Sequence, residues 1–500
     1  VSEPLALLPL ALAAGGGTLR TAEAPESLPA RQLVAAGLTL LQRSAPLVRA
    51  LSGRRAAILL PTSPAYLTAL AASEGRGAVL VNPLASAIEV AHQCTDANVG
   101  AVFTVESLAD RVPPGLPIVL LDELPRMARV VTTARTQDVD LGSHHGLSIE
   151  GERDVPGRDE EAAIVYTSAM RGVPLGAVLT HANLLGNARA AVEAMGMHDA
   201  DQVLAFLPYS HLFGLTVGCA APLLAGAAVT TMPRFHPGRA IALVREGITA
   251  LIGVPTTFAS MLAELVATGT DLRGSALRLC VCGGAPLSVE LQERWADATG
   301  VELRQGYGLT EAGPVCLFNR IDTPNARGTL GVPFPGVDVA IMSAIADDGA
   351  ANQGARDVLP DGEAGEICVR GANVFRGYVG AATNGLARRG EWLATGDEGV
   401  RSADGSVSFL RVLKPMFTRN GFNIYPRELE RAVRELAGVR DAEVSAMPPL
   451  PRKDRGIPAS LEHDIRLRVW GTTTADEVKR WCEARLSAYK QPTTIEIVEG

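Results

Sequence analysis

The sequence predicts an α/β protein: parallel sheets covered by helices, then a small antiparallel region, then a short α/β piece. Three observations predict it. Apolar runs of strand length alternate with helix-length segments as far as about residue 325. Gly, Pro and Asp then become frequent and short alternating runs appear. After Lys414 the α/β pattern returns. Strands separated by helices of about ten to fifteen residues imply parallel sheets, because a parallel neighbour needs a crossover.

Taken in order, Arg55–Leu60 (RAAILL) reads as a buried strand, Pro64–Glu74 as a helix and Gly77–Val81 as the next strand. Ala101–Val105 and Ile118–Leu121 continue the series. So do Ala227–Met232, Ala250–Val254 and Leu277–Cys282, with helices Pro255–Thr268 and Ser288–Thr299 between or after them. Leu215–Met232 holds eighteen residues without a charge, the length of a marginal membrane span. Its Gly, Ala and Thr content and Pro222 favour a buried helix running into a strand. Val337–Met342, Gly365–Arg370 and Val407–Val412 suggest a small antiparallel sheet or barrel, and Pro426–Leu436 a helix.

Composition narrows the function. The 500 residues are 47% hydrophobic and 20% charged, with net charge −8. Two to four domains fit that length. The acidic balance argues against nucleic acid as a partner. Seven scattered cysteines without a CxxC pair argue against a disulfide framework or a zinc site, and fit a cytoplasmic protein. The N-terminal VSEPLALLPLALAAGGG lacks a basic flank and is not expected to be a signal peptide. Only four lysines occur, Lys414, Lys453, Lys479 and Lys490, so no lysine chemistry resides before residue 414.

The first chemical motif is Ala163–Asn183, AIVYTSAMRGVPLGAVLTHAN. An apolar strand ends in Thr167 and Ser168, and a turn with Gly172, Pro174 and Gly176 follows. Hydroxyls and unencumbered backbone N–H groups at a strand end can cradle phosphate. Further on come LPYSHLFGLT at 207–216, QGYGLTE at 305–311, ATGDEGV at 394–400 and RVLKPMFTRNGFNIYPRELE at 411–430.

In this order and spacing, the segments resemble the adenylate-forming superfamily of acyl-CoA synthetases, luciferases and adenylation domains. The likeness runs from about residue 50 to the end and is nearest to medium- and long-chain fatty acid–CoA ligases. It implies a large N-terminal domain, residues 1–411, of two helix-covered, mainly parallel sheets plus a small β-barrel at about 325–411. A hinge at 412–415 and a small mobile α+β C-terminal domain, 416–500, would follow. It also implies ATP, Mg²⁺ and coenzyme A, with an acyl carrier protein as the other possible thiol donor. At most peripheral membrane contact and a monomer or homodimer are expected.

The resemblance assigns roles by position. Tyr307 would stack on adenine, Thr310 contact the α-phosphate and Glu311 bind Mg²⁺. Gly306, Gly308 and Leu309 would line the same ATP/AMP site. Gly283, Gly284 and Ala285 would form the adenine shelf, and Thr167, Ser168 and Gly172 the phosphate loop. Asp397 would accept the ribose hydroxyls, as one carboxylate can. His211 would stand beside the reacting carboxylate. Gly421, Phe422 and Asn423 would face the pantetheine channel, and Lys414 is the hinge residue. Cys280 and Cys282 read as core packing. The segment 207–216 carries no acid to pair with a substrate ammonium, which disfavours amino acids.

Three departures stand out. Leu175 replaces the loop lysine. Val412 stands where the family has an arginine, with Arg411 one step away on the opposite strand face. The sequence as given reaches Gly500 before the family's G-K segment. These predict weakened adenylation. The reading that results is an ATP-dependent fatty acid–CoA ligase. The alternatives are an impaired relative that binds nucleotide or acyl-CoA, or one that performs only the thioester half-reaction.

Overall fold

The structure, a computed structural model, describes residues 8–73, 75–142, 157–167, 173–343, 358–381, 388–414, 416–419, 422–448 and 463–498. Two nine-stranded sheets form its bulk. The first has Arg55–Leu59, Ala78–Leu80, Val99–Thr104, Ile118–Leu121 and Glu161–Thr167 as its parallel centre. Antiparallel strands Met127–Val131 and Thr136–Asp140 extend one edge, and Leu175–Thr180 and Gly377–Tyr378 the other. The second is parallel through Thr18–Thr21, Ala228–Thr231, Gln202–Ala205, Ala250–Gly253, Leu279–Cys282 and Leu303–Gly308. The antiparallel Val315–Phe318 continues it.

The central strands are continuous apolar runs because helices cover both faces. Val99–Thr104 is buried at every position. Helix Pro255–Thr268 starts with proline in its first turn, where the lost N–H costs nothing, and stops at Gly269 with φ 64°. Helix Val289–Thr299 starts where the Ser288 hydroxyl accepts the Leu291 N–H. Cys280 and Cys282 lie fully buried in the core beneath these helices. The uncharged stretch is the π-helix Phe213–Ala220, the short helix Ala221–Leu224 and the strand Ala228–Thr231. Among the described residues no helix is long and apolar enough to cross a membrane.

The small antiparallel region corrects one expectation. Val337–Met342, Ala364–Gly371, Trp392–Arg401, Arg388–Arg389 and Val407–Val412 form an open five-stranded sheet. Among the described residues it does not close into a barrel. Alternating apolar positions announce strands with one buried face, and say nothing about whether the edge strands meet.

Beyond Lys414, Phe417–Arg419 pairs with Phe422–Ile424. A three-stranded sheet, Val439–Met447, Asp464–Gly471 and Thr494–Val498, packs with helices Pro426–Arg434 and Ala475–Arg485. Ile424, Leu429, Val444, Leu467 and Cys482 form a core of their own.

Candidate active site

The C-terminal ends of parallel strands in both large sheets open on one cleft, where open α/β sheets place ligands. Its cavity is about 850 Å³. Thr167, His211, Gly283 to Ala285, Gly306 to Glu311, Asp397, Lys414, Phe422 and Asn423 all line it. Every predicted site residue that the structure describes is thus brought together. Ser168, Gly172 and Gly421 lie outside the described residues.

Strand Leu303–Gly308 delivers Tyr307, whose hydroxyl donates to Asp397 Oδ2 at 2.6 Å. Burial, and then the Asp397 charge and hydrogen bond, hold the Tyr307 phenol far above its usual pKa. Burial likewise raises the Asp397 carboxyl. Lys414 and the Tyr307 hydroxyl pull it back only in part, and Glu366 adds to the rise. Gly308 is required for a spatial reason. A Cβ there would lie 1.8 Å from the Pro314 carbonyl oxygen, which accepts the Leu309 N–H at 3.0 Å.

Glu311 follows in the turn Thr310–Ala312 and is 7% exposed. Its Oε1 accepts from the Thr167 hydroxyl at 3.0 Å and the Tyr378 hydroxyl at 2.9 Å. Both donors belong to the first large sheet, whereas Glu311 hangs from the second. Thr167 was legible in the phosphate-loop motif. Tyr378 closes the GANVFRGY stretch, yet nothing local to it signals a partner 67 positions away.

Gly283 leaves the end of strand Leu279–Cys282 beside the Phe213 ring, which a Cβ would approach to 3.3 Å. Gly284 takes φ 78°, open to glycine at no steric cost. His211 presents its ring to the cleft just before the π-helix. Its Nδ1 accepts the Phe213 N–H at 3.3 Å, which leaves the proton on Nε2. Desolvation by the surrounding wall lowers its pKa, favouring the neutral ring.

Asp397 pairs with Val412 across strands Trp392–Arg401 and Val407–Val412. Val412 lines the cleft. Arg411 points the other way and pairs with Glu398 at 2.6 Å, mostly exposed. The ladder shifts register beside it, between Glu398 and Gly399, and Arg411 still faces outward. Lys414 lies across Gly396, where a Cβ would fall 1.9 Å from its Cε. Leu175 faces the same cavity. Tyr425, which lies in the 411–430 segment with no role assigned there, also lines it, and burial followed by the charges of Glu311 and Asp397 raises its pKa.

Two layered sheets meet at a cleft that holds an acid-bearing glycine loop and a half-buried Tyr–Asp pair, the arrangement of a ligand-binding α/β protein. The chain belongs to the AMP-binding enzyme family, which it matches over residues 47–379. It is 30% identical over 484 residues to the long-chain-fatty-acid–CoA ligase of Salmonella typhimurium, covering 89% of this chain and 82% of that one. It is 31% identical over 454 residues to the feruloyl-CoA synthase of an Amycolatopsis species, covering 89% and 85%. A malonyl-CoA ligase solved as a ternary product complex, with methylmalonyl-CoA and AMP bound, superposes with TM-score 0.75 at 27% identity. That match covers 97% of this chain and 96% of that one.

Proposed function

We propose that the protein is an ATP-dependent acyl-CoA ligase, AMP-forming, that acts on an aliphatic carboxylic acid of the fatty-acid type in the cytoplasm. The observation that carries this is the convergence on one cleft of the Tyr307–Asp397 pair, the Thr310–Glu311 turn and the Phe422–Asn423 segment. Adenine would lie between Tyr307 and the flat shelf of Gly283 to Ala285. Asp397 would exchange its tyrosine hydrogen bond for the ribose hydroxyls. Thr310 would hold the α-phosphate while the acid's carboxylate attacks phosphorus and pyrophosphate leaves. A thiol entering past Phe422 and Asn423 would then displace AMP.

Mg²⁺ fits the donor set. It needs one carboxylate plus phosphate and water oxygens, so a group of several acidic residues is not required. Among the described residues no cluster of three or more His, Cys, Asp or Glu could hold a metal. Glu311 would supply the carboxylate, with Oε1 already oriented by Thr167 and Tyr378. The ion would neutralise charge on the phosphates.

Met195, Phe213, Val281, Val315 and Leu330 supply an apolar wall, which supports an aliphatic or other apolar acyl group. Cytoplasmic placement is supported by seven buried thiols. The test is to incubate purified protein with ATP, Mg²⁺, coenzyme A and acids of graded length, aromatic acids included. AMP and thioester should both appear, and an aliphatic acid should give the higher kcat/KM. Neither product with any acid would overturn the ligase reading.

A second reading has one specific support. Leu175 and Val412 present apolar side chains to the cleft where the family carries cations. The protein would then be strong in the thioester half-reaction and weak in adenylation. Supplying acyl-AMP and coenzyme A tests it. Thioester from acyl-AMP, together with little pyrophosphate from ATP and acid, would favour this reading.

A further inference from the structure

A buried contact between distant parts of the chain closes one side of the cleft. Lys490 sits in the turn Ala488–Lys490 with its side chain 5% exposed. Its Nζ donates to Glu89 Oε1 at 2.8 Å and to Glu428 Oε1 at 2.6 Å. Glu89 lies in the first turn of helix Ala87–Asp96, on the large body. Glu428 opens helix Pro426–Arg434. The same Glu89 accepts the Ser487 hydroxyl on Oε2, and the Ser86 hydroxyl donates to the Arg485 carbonyl at 2.7 Å.

The charges make this contact decisive for geometry. Two carboxylates share one ammonium in a dry place, so removing the lysine leaves like charges facing each other. Among the described residues Glu428 Oε2 is buried without a hydrogen-bond partner, and Lys490 is the group that compensates this carboxylate. Burial opposes the charge on Lys490, but Tyr489, Glu428 and Glu89 outweigh it and keep the amine charged. Its amine is therefore committed and is no substitute for a phosphate-facing cation. The segment it anchors is the one that enters the cleft. Phe422, Asn423 and Tyr425 directly precede helix Pro426–Arg434. Tyr489, next to Lys490, stacks on Phe422 with ring centroids 4.3 Å apart.

We propose that Lys490 is a positioning residue for thioester formation, fixing Phe422, Asn423 and Tyr425 over the cleft by tying them to Glu89. The proposal rests on the ligase reading and adds a division between its two steps. Adenylation proceeds without the clamp, whereas thiol attack needs it.

The experiment measures the half-reactions separately in the full-length protein, for wild type, Lys490→Ala and Glu89→Gln. Glu89→Gln keeps the Ser86 capping box, since Gln serves there as well as Glu, while the charge goes and the oxygen that accepts from Lys490 becomes an amide NH2. Both variants should lower the rate of thioester from acyl-AMP and coenzyme A, by ~10²-fold for Lys490→Ala, the scale of a misplaced reacting group. Pyrophosphate release from ATP and acid should stay within about twofold of wild type. Hydrogen exchange of residues 422–434 is followed in parallel and should quicken in both variants. Equal loss of both half-reactions, or unchanged thioester rate and exchange, overturns the proposal. A wild type inactive in both half-reactions overturns the ligase reading instead, and the exchange comparison still decides whether the clamp exists.

Discussion

Asp397 carries two pH effects of opposite sign. Burial raises its carboxyl, so the folded chain holds that proton to higher pH than the unfolded one. The stability term is unfavourable above the folded pKa and vanishes below the unfolded one. Ribose binding requires the carboxylate, so nucleotide affinity should weaken as pH falls through the raised value. Calorimetric titration with AMP should show this decline in wild type. Asp397→Asn should bind weakly and without pH dependence. At Glu311 the outcome concerns rate. Glu311→Gln should cut pyrophosphate release by ~10²–10³-fold at saturating Mg²⁺, the scale of one electrostatic group aimed at the reaction. An unchanged rate would remove Glu311 from the proposed metal site.

At the scale of elements, the strand Val407–Val412 has a cleft face and a solvent face, and they predict different outcomes. Val412→Arg puts a cation on the cleft face and should raise the pyrophosphate-release rate at least about tenfold. Arg411→Ala removes an exposed pair with Glu398, worth ~0–1 kcal/mol, and should leave both rate and stability nearly unchanged. Gly308→Ala sets a Cβ against the Pro314 carbonyl and should cost ~3 kcal/mol or more in urea unfolding. Much of this layer was legible in the sequence. Helix Pro255–Thr268 ends where its proline and glycine say, and Val407–Val412 where its alternation says. The edge strands Met127–Val131 and Thr136–Asp140 were not, because their half-exposed, charged pattern resembles a loop until a neighbour pairs with it. The glycine loops and Asp397 were legible because they are local motifs. Tyr378, Tyr425 and the Glu89–Lys490 contact were not, because long-range pairing leaves no trace in local periodicity.

At the scale of the molecule, the piece beyond Lys414 has its own core, and the buried Arg419 knits it. Arg419 donates to the Tyr489 and Gln491 carbonyls and to the Thr493 hydroxyl, and pairs with Asp464, which is 4% exposed. Arg419→Ala removes these three hydrogen bonds and a buried ion pair and should cost ~3–5 kcal/mol. In scanning calorimetry an early transition should move down while the main one stays. The larger body is held differently. Thr167 and Tyr378 reach from one nine-stranded layer to a carboxylate carried by the other. Glu311 is in that respect a rivet through two plates. Slippage between the layers arrives at its oxygens as displacement, so the grip on a ligand there reports the spacing of the whole stack. Loosening the rivet should be visible with the cleft empty. Glu311→Ala should speed amide exchange at 163–167, far sooner than any global unfolding.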